Sequence, residues 1–248
     1  MDLYHLFDFD MEHQVCLSLC GAGGKTTLLY ALVREANLYG KKASLLTTAL
    51  MKTPHEEDMF VFYGYGSKWM HKVWKFRQII VAGGSAGQGL LNMADQATID
   101  FQLRYADLVA VKADYSEGYP LKWPVGEEPR ILPHSNRVIV MMGLSALGQP
   151  LEQVCQHAAE ARTALKTEQE LVDEELLARL IWQGYGRLEP WVFLNQADDD
   201  ELRARGEKTA ARLRELGAEH VVVDSLKERG LCQEFPVMPT QVNEHGYH

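Results

Sequence analysis

The stretch Cys20-Gly21-Ala22-Gly23-Gly24-Lys25-Thr26-Thr27 carries the most specific chemistry in the chain. A short apolar run, residues 15–19, leads into it, and a segment of helical periodicity leads out. Glycines let the backbone wrap tightly enough for successive N–H groups to face one ligand, and the start of the following helix adds its positive pole. That combination suits phosphate. Gly21, Ala22, Gly23, Gly24, Lys25, Thr26 and Thr27 are therefore expected to hold a nucleoside triphosphate, ATP or GTP. Lys25 would reach the outer phosphates and the Thr26 hydroxyl would reach Mg²⁺. Leu19 stands where the full G-x-x-x-x-G-K-[ST] pattern has its first glycine, so the match is partial. A glycine-rich turn with an incidental lysine is the alternative.

Several further residues sit where such a site needs partners. Asp114 follows the apolar run 108–113 and is placed as a second-shell or direct Mg²⁺ ligand and, with Lys25, as a catalytic group; a loop-capping aspartate is the plainer reading. Thr47 and Thr48, at the end of another apolar run, are candidates for the terminal phosphate or the metal, although threonine is common in strands. Asn195-Gln196-Ala197-Asp198 follows the run 191–194, where Asn195 and Asp198 could read the edge of a base. The Asp198 carboxylate would accept from guanine's N1–H and exocyclic amine, with residues 225–227 backing the base. Asp198, Asp199 and Asp200 equally suit the start of a helix. Lys122 lies in the proline-containing segment 120–133, placed as a second-substrate or switch segment. Cys16, Cys20, Cys155 and Cys232 lack metal or disulfide spacing, and core filling by reduced thiols is expected.

The elements that must position these residues alternate. Apolar runs at 15–19, 43–48, 78–82, 108–113, 137–142, 191–194 and 220–223 read as strands. Between them, 25–37, 95–104, 151–164, 170–182 and 199–216 read as helices, with Gly40 and Gly217 as stops. The glycine-rich stretch 83–89 reads as a turn. Within the mixed region 52–74, the aromatics between Phe60 and Trp74 are expected to supply a small subdomain core, or else a partner surface. This alternation predicts a three-layer P-loop NTPase-like α/β fold with a mainly parallel central sheet, and ligands at the carboxyl ends of the strands. Residues 1–235 are expected to form one nucleotide-binding domain and 236–248 an irregular tail.

With 248 residues and 46% apolar content the chain can bury a large core. A formal charge of −9 and a pI near 5.5 argue against nucleic acid or an anionic membrane as partner. Residues 1–14 carry acids where a secretory leader is basic and then apolar, so a cytoplasmic location is expected.

On these residues the chain resembles the YqeC family, accessory proteins of selenium-dependent molybdenum hydroxylases. The resemblance runs through Gly21 to Thr27, Thr47-Thr48, Ala113-Asp114, Pro120-Leu121-Lys122, Glu128-Pro129, Pro133, Gly143-Leu144, Ala146-Leu147-Gly148 and Asn195-Gln196-Ala197-Asp198. It implies nucleotide-dependent maturation of a molybdenum hydroxylase or its cofactor, with the hydroxylase or a cofactor-maturation protein as partner. Where the family usually has Glu-Ala-Asp-Gly, this chain has Lys112-Ala113-Asp114-Tyr115, replacing a carboxylate by a cation. A Mg-dependent NTP hydrolase is the resulting expectation. The alternatives are an ATP-dependent ligase or kinase, since Gly21-x-x-Gly24-Lys25-Thr26-Thr27 is also similar to the Mur-type amide-ligase loop, and a module that binds without hydrolysing.

Overall fold

Seven consecutive buried residues make Val15–Gly21 a strand covered on both faces, β1. Its side chains alternate: Leu17 and Leu19 enter one apolar cluster, Cys16 and Cys20 the clusters on the opposite face. The computed structural model describes residues 2–10, 12–54, 58–63, 73–74 and 79–231. Tyr65, Trp69, Gln78, Cys232 and the tail 236–248 lie outside the described residues.

In chain order the elements are α1 Leu3–Leu6, β1 Val15–Gly21, α2 Lys25–Leu38, β2 Ala43–Thr47, β3 Met51–Lys52, β4 Phe60–Tyr63, β5 Ile79–Gly87 and β6 Leu90–Asn92. There follow α3 Gln96–Tyr105, β7 Leu108–Lys112, β8 Leu121–Lys122, β9 Arg137–Gly143, α4 Leu151–Val154 and β10 Cys155–Gln156. The chain continues with α5 Ala158–Leu165, α6 Glu174–Tyr185, β11 Trp191–Asn195, α7 Asp200–Glu215 and β12 His220–Val223. The sheet runs β12-β11-β9-β1-β7-β2-β5-β6-β3, with β4 also on β5. Its pairs are parallel except β5–β6 and β3–β6 at one end.

α1 and α2 cover one face through Leu3, Phe7, Leu28, Leu32 and Val33. α6 and α7 cover part of the other through Leu177, Ile181, Ala210 and Leu213, and α3 the rest through Ile99 and Phe101. This is the layered α/β fold that the alternation predicts: a mainly parallel sheet between two helical layers, with β1 among its inner strands.

Three expectations need correction. The helix expected over 151–164 is two short helices interrupted by β10, whose residues pair in parallel with β8. His157 then takes a left-handed conformation, φ 66°, before α5 begins. Pairing with β8 substitutes for helical hydrogen bonds, which no local pattern announces. The helix expected from residue 170 begins at Glu174, because Asp173 caps it by accepting from Leu176 N at 2.8 Å while Leu171 bridges to Pro150. The stretch 83–89 is not simply a turn: β5 continues to Gly87 and β6 returns along it, so a side chain at Gly83 would meet the Asn92 carbonyl at 2.8 Å. In the aromatic region, Trp74 is buried against β5 and α3 while Tyr63 is exposed.

Candidate phosphate-binding site

The phosphate loop leaves β1 with Gly21, Gly23 and Gly24 at φ 92°, 81° and 118°. A Cβ on Gly21 would lie 2.3 Å from the Met141 carbonyl oxygen, and one on Gly23 2.5 Å from the Gly143 nitrogen, so β9 presses directly on the turn. Gly21 N–H donates to Asp114 Oδ2 (2.9 Å), Ala22 N–H to the Met141 carbonyl (2.7 Å) and Gly23 N–H to the Tyr119 carbonyl (3.2 Å). α2 makes its first return bond from Leu28 N–H to the Gly24 carbonyl. The N–H groups of Lys25, Thr26 and Thr27 thus have no acceptor within the helix and form its positive end.

Lys25 is only 3% exposed. Its ammonium donates to the Gly21 carbonyl and lies 3.0 Å from Asp114 Oδ1. Burial pushes its pKa below the usual lysine range and the Asp114 carboxylate opposes that shift. Asp114 comes here because β7 pairs with β1, Lys112 opposite Leu19, and Ala113 N–H extends the ladder to the Leu19 carbonyl. Lys122 Nζ approaches the other Asp114 oxygen at 3.7 Å, donates to the Tyr115 carbonyl at 2.6 Å and also binds Glu128.

Two cavities flank the loop. One, of about 460 Å³, is lined by Gly23 to Thr27, Lys52, Lys112 and the turn 115–119. The other, of about 320 Å³, is lined by Gly23, Gly24, Thr27, Asn195, Gln196, Asp198, Leu226 and Lys227. The loop and the helix start therefore lie between a space with lysines on its wall and a space with Asp198 on its wall.

Several expected roles change. Asp114 is fully buried and does not line either cavity; one oxygen takes the Gly21 N–H, the other faces Lys25, and Lys122 stands beside it. Thr26 is half-buried on the larger cavity's wall, which Asp114 does not line, so a Mg²⁺ there would not have Asp114 as a direct ligand. Asp114 instead positions Lys25 and the loop. The Thr47 and Thr48 hydroxyls are taken by the backbone: they donate to the carbonyls of Ala49 (2.6 Å) and Arg130 (2.7 Å), and both approach the Lys112 carbonyl. Lys122 is fully buried behind Asp114 and lines neither cavity.

Asn195 has both side-chain atoms engaged by the backbone. Nδ2 donates to the Gly23 carbonyl (2.8 Å) and Oδ1 accepts from Leu226 N–H (3.0 Å), so it braces the loop while also lining the smaller cavity. Asp198 does line the smaller cavity, accepting from the Ser225 hydroxyl, with Lys227 3.9 Å away. Helix capping falls to Asp199, which accepts from Leu202 N–H. The segment 113–133 is fastened at many points, among them Arg130 N–H to the Ala113 carbonyl and Leu132 N–H to Ser18 Oγ. Cys20 is fully buried and its thiol is pushed well up by burial, so it carries no thiolate chemistry at neutral pH. Lys112, unassigned from sequence, lines the larger cavity; a cation closing an otherwise apolar strand just before Asp114 was the signal for it.

Residues 17–160, more than half of the chain, match the family model described as YqeC protein. The chain belongs to the YqeC family. Over 135 residues it is 32% identical to the uncharacterized protein YqeC of Escherichia coli (strain K12), a stretch that is 53% of each protein. The chain thus spans about half the length of the curated YqeC relative it matches. Among solved structures it is similar to the hydrogenase maturation factor HypB of Archaeoglobus fulgidus, with a TM-score of 0.41 and 15% identity across 88% of this chain and 87% of that one. The YqeC match contains the phosphate loop, Lys112, Asp114 and Lys122; Asn195 and Asp198 lie beyond it.

Proposed function

We propose that this YqeC protein binds a nucleoside triphosphate across the loop of residues 21–27 and uses it as an accessory factor in the maturation of a molybdenum hydroxylase. The observation that carries the reading is the loop itself: three glycines of positive φ leading into a helix start, between one cavity walled by lysines and another walled by a carboxylate. The phosphates lie over the N–H groups of Lys25, Thr26 and Thr27, in the larger cavity, and Lys25 turns from the Gly21 carbonyl to the outer phosphate. The base enters the smaller cavity. There Asp198 accepts from guanine's N1–H and exocyclic amine, which favours GTP over ATP.

Hydrolysis, with water as phosphoryl acceptor, is the activity this reading assigns. Binding without turnover is the second reading. It is supported by the cavity wall, where among the described residues the only carboxylate is the exposed Glu117. Calorimetric titration with GTP and ATP, run beside a phosphate-release assay, separates the two. Release that depends on Lys25 supports the hydrolase, and binding with no release supports the passive module. Lys25→Ala is expected to lose at least about tenfold in triphosphate affinity, the weight of one charge-assisted contact. Unchanged affinity in a folded Lys25→Ala protein would sink the nucleotide reading.

A further inference from the structure

On and just behind the larger cavity's wall, positive charge exceeds negative among the described residues. Lys25, Lys112 and Lys122 are all buried, and the buried or half-buried carboxylates near them are Asp114 and Glu128. Lys122 occupies Glu128 and one side of Asp114, and Lys25 occupies the other side. Among the described residues Lys112 is left without a carboxylate partner: its ammonium donates to the Leu50 carbonyl at 3.0 Å and sits 5.1 Å from the centre of the Tyr115 ring.

An ammonium has three hydrogens to donate and is costly to bury unpaired. The register explains why it is here at all. β7 lies between β1 and β2, with Lys112 opposite both Leu19 and Thr47, so the side chain emerges at the sheet edge from which the phosphate loop springs. Lys52, exposed, adds a further positive charge to the same wall. A divalent cation entering this space would meet Lys25 and Lys112 with, among the described residues, Glu117 as the one carboxylate on the wall, whereas a polyanion would meet complementary charge.

We infer that Lys112 is a phosphate-binding residue and that, together with Lys25, it lets the site take a polyphosphate chain free of divalent metal. This rests on the reading that the cavity receives the phosphates of a nucleotide, and it adds what neutralises them. Lys112 takes the charge-balancing part, and its spare N–H groups face the phosphate oxygens. Burial, and next the Lys25 charge, already disfavour a proton on Lys112, and a bound polyanion would relieve both.

The test is titration of the full chain with GTP, ATP and inorganic tripolyphosphate, once in EDTA and once in excess Mg²⁺. Binding in EDTA as tight as in Mg²⁺, to within about threefold, is expected. Lys112→Gln should weaken the EDTA binding by about tenfold or more while Lys112→Arg, which keeps the charge, stays near the parent. Lys112→Glu should make binding depend on Mg²⁺, by setting a carboxylate on the wall that Thr26 shares. Thermal melts establish that each variant is folded. Binding seen only with Mg²⁺, or Lys112→Gln binding as the parent does, overturns the inference and leaves the nucleotide reading standing. No binding in either buffer overturns both.

Discussion

Lys112 and Asn195 show how side chains of similar sequence prominence come to opposite duties. The Lys112 pKa is brought down to about 8, by burial first, then by the Lys25 charge, with Asp114 and Glu128 opposing and Lys122 adding to the shift. Two pH dependences of opposite sign follow. Anion affinity should fall as pH rises through about 8, because the cavity loses a cation. Fold stability should rise over the same direction. Between the folded value of about 8 and the ordinary 10.5, the unfolded chain holds a proton that the folded chain has released, so raising pH favours folding. Phosphate titrations and melting curves across this range, compared with Lys112→Arg, read both slopes; flat affinity would remove Lys112 from the phosphate site.

Asn195→Ala should strand the Gly23 carbonyl and the Leu226 N–H, at about 2–4 kcal/mol in urea unfolding. A loss under about 0.5 kcal/mol would mean that neither bond braces the loop. Thr47, Thr48 and Asn195 could not be assigned from sequence because a hydroxyl or amide after a strand turns to ligand or to backbone according to its surroundings, and the chain segments that decide it lie far away. The backbone of residues 112 and 130 takes the two threonines, and residues 23 and 226 take the asparagine. The glycines were legible because Gly21 and Gly23 carry their constraint in φ itself.

At the scale of elements, what could be read from sequence divides by how far away its cause lies. β1, α2, β7, β9 and β11 announce themselves through apolar runs and period, since buried parallel strands need no partner-specific code. The break inside 151–164 was illegible because its cause is β8, some thirty residues earlier, whose backbone takes Cys155 and Gln156 into a parallel pair. The start of α6 was legible in principle: Asp173 followed by Glu174 and Glu175 is a cap with acids in the first turn, and the apolar residues before it masked the signal. Asp173→Ala should cost about 1 kcal/mol, a fall of about 2–4 °C in Tm for a chain of this size. Restoration by Asp173→Ser or Asp173→Asn would identify the cap as the cause, and an unmoved Tm would assign the helix start to packing instead.

Across the whole molecule a buried chain of charge, Lys25 to Asp114 to Lys122 to Glu128, joins the phosphate loop to the segment 115–130. The overall charge is negative, −9, and the cluster is itself balanced, two lysines against two carboxylates, so Lys112 supplies the local positive excess against the general field. Lys122 is the link least replaceable by its surroundings. It is fully buried, and its ammonium serves Asp114, Glu128 and the Tyr115 carbonyl together. Lys122→Met keeps its length and removes its charge, leaving the buried Asp114 compensated by Lys25 alone. Breaking a buried pair from one side costs about 3–5 kcal/mol. The half-buried Glu128 can turn to water, so the lower part of that range is expected in urea unfolding. Adding Glu128→Gln should recover part of the loss, since it withdraws one of the stranded charges, whereas Asp114→Asn added instead should also slacken Lys25 and weaken phosphate binding. If Lys122→Met unfolds within about 1 kcal/mol of the parent, the cluster is not what ties segment 115–130 to the sheet, and the backbone bonds of Tyr119, Pro120 and Arg130 suffice.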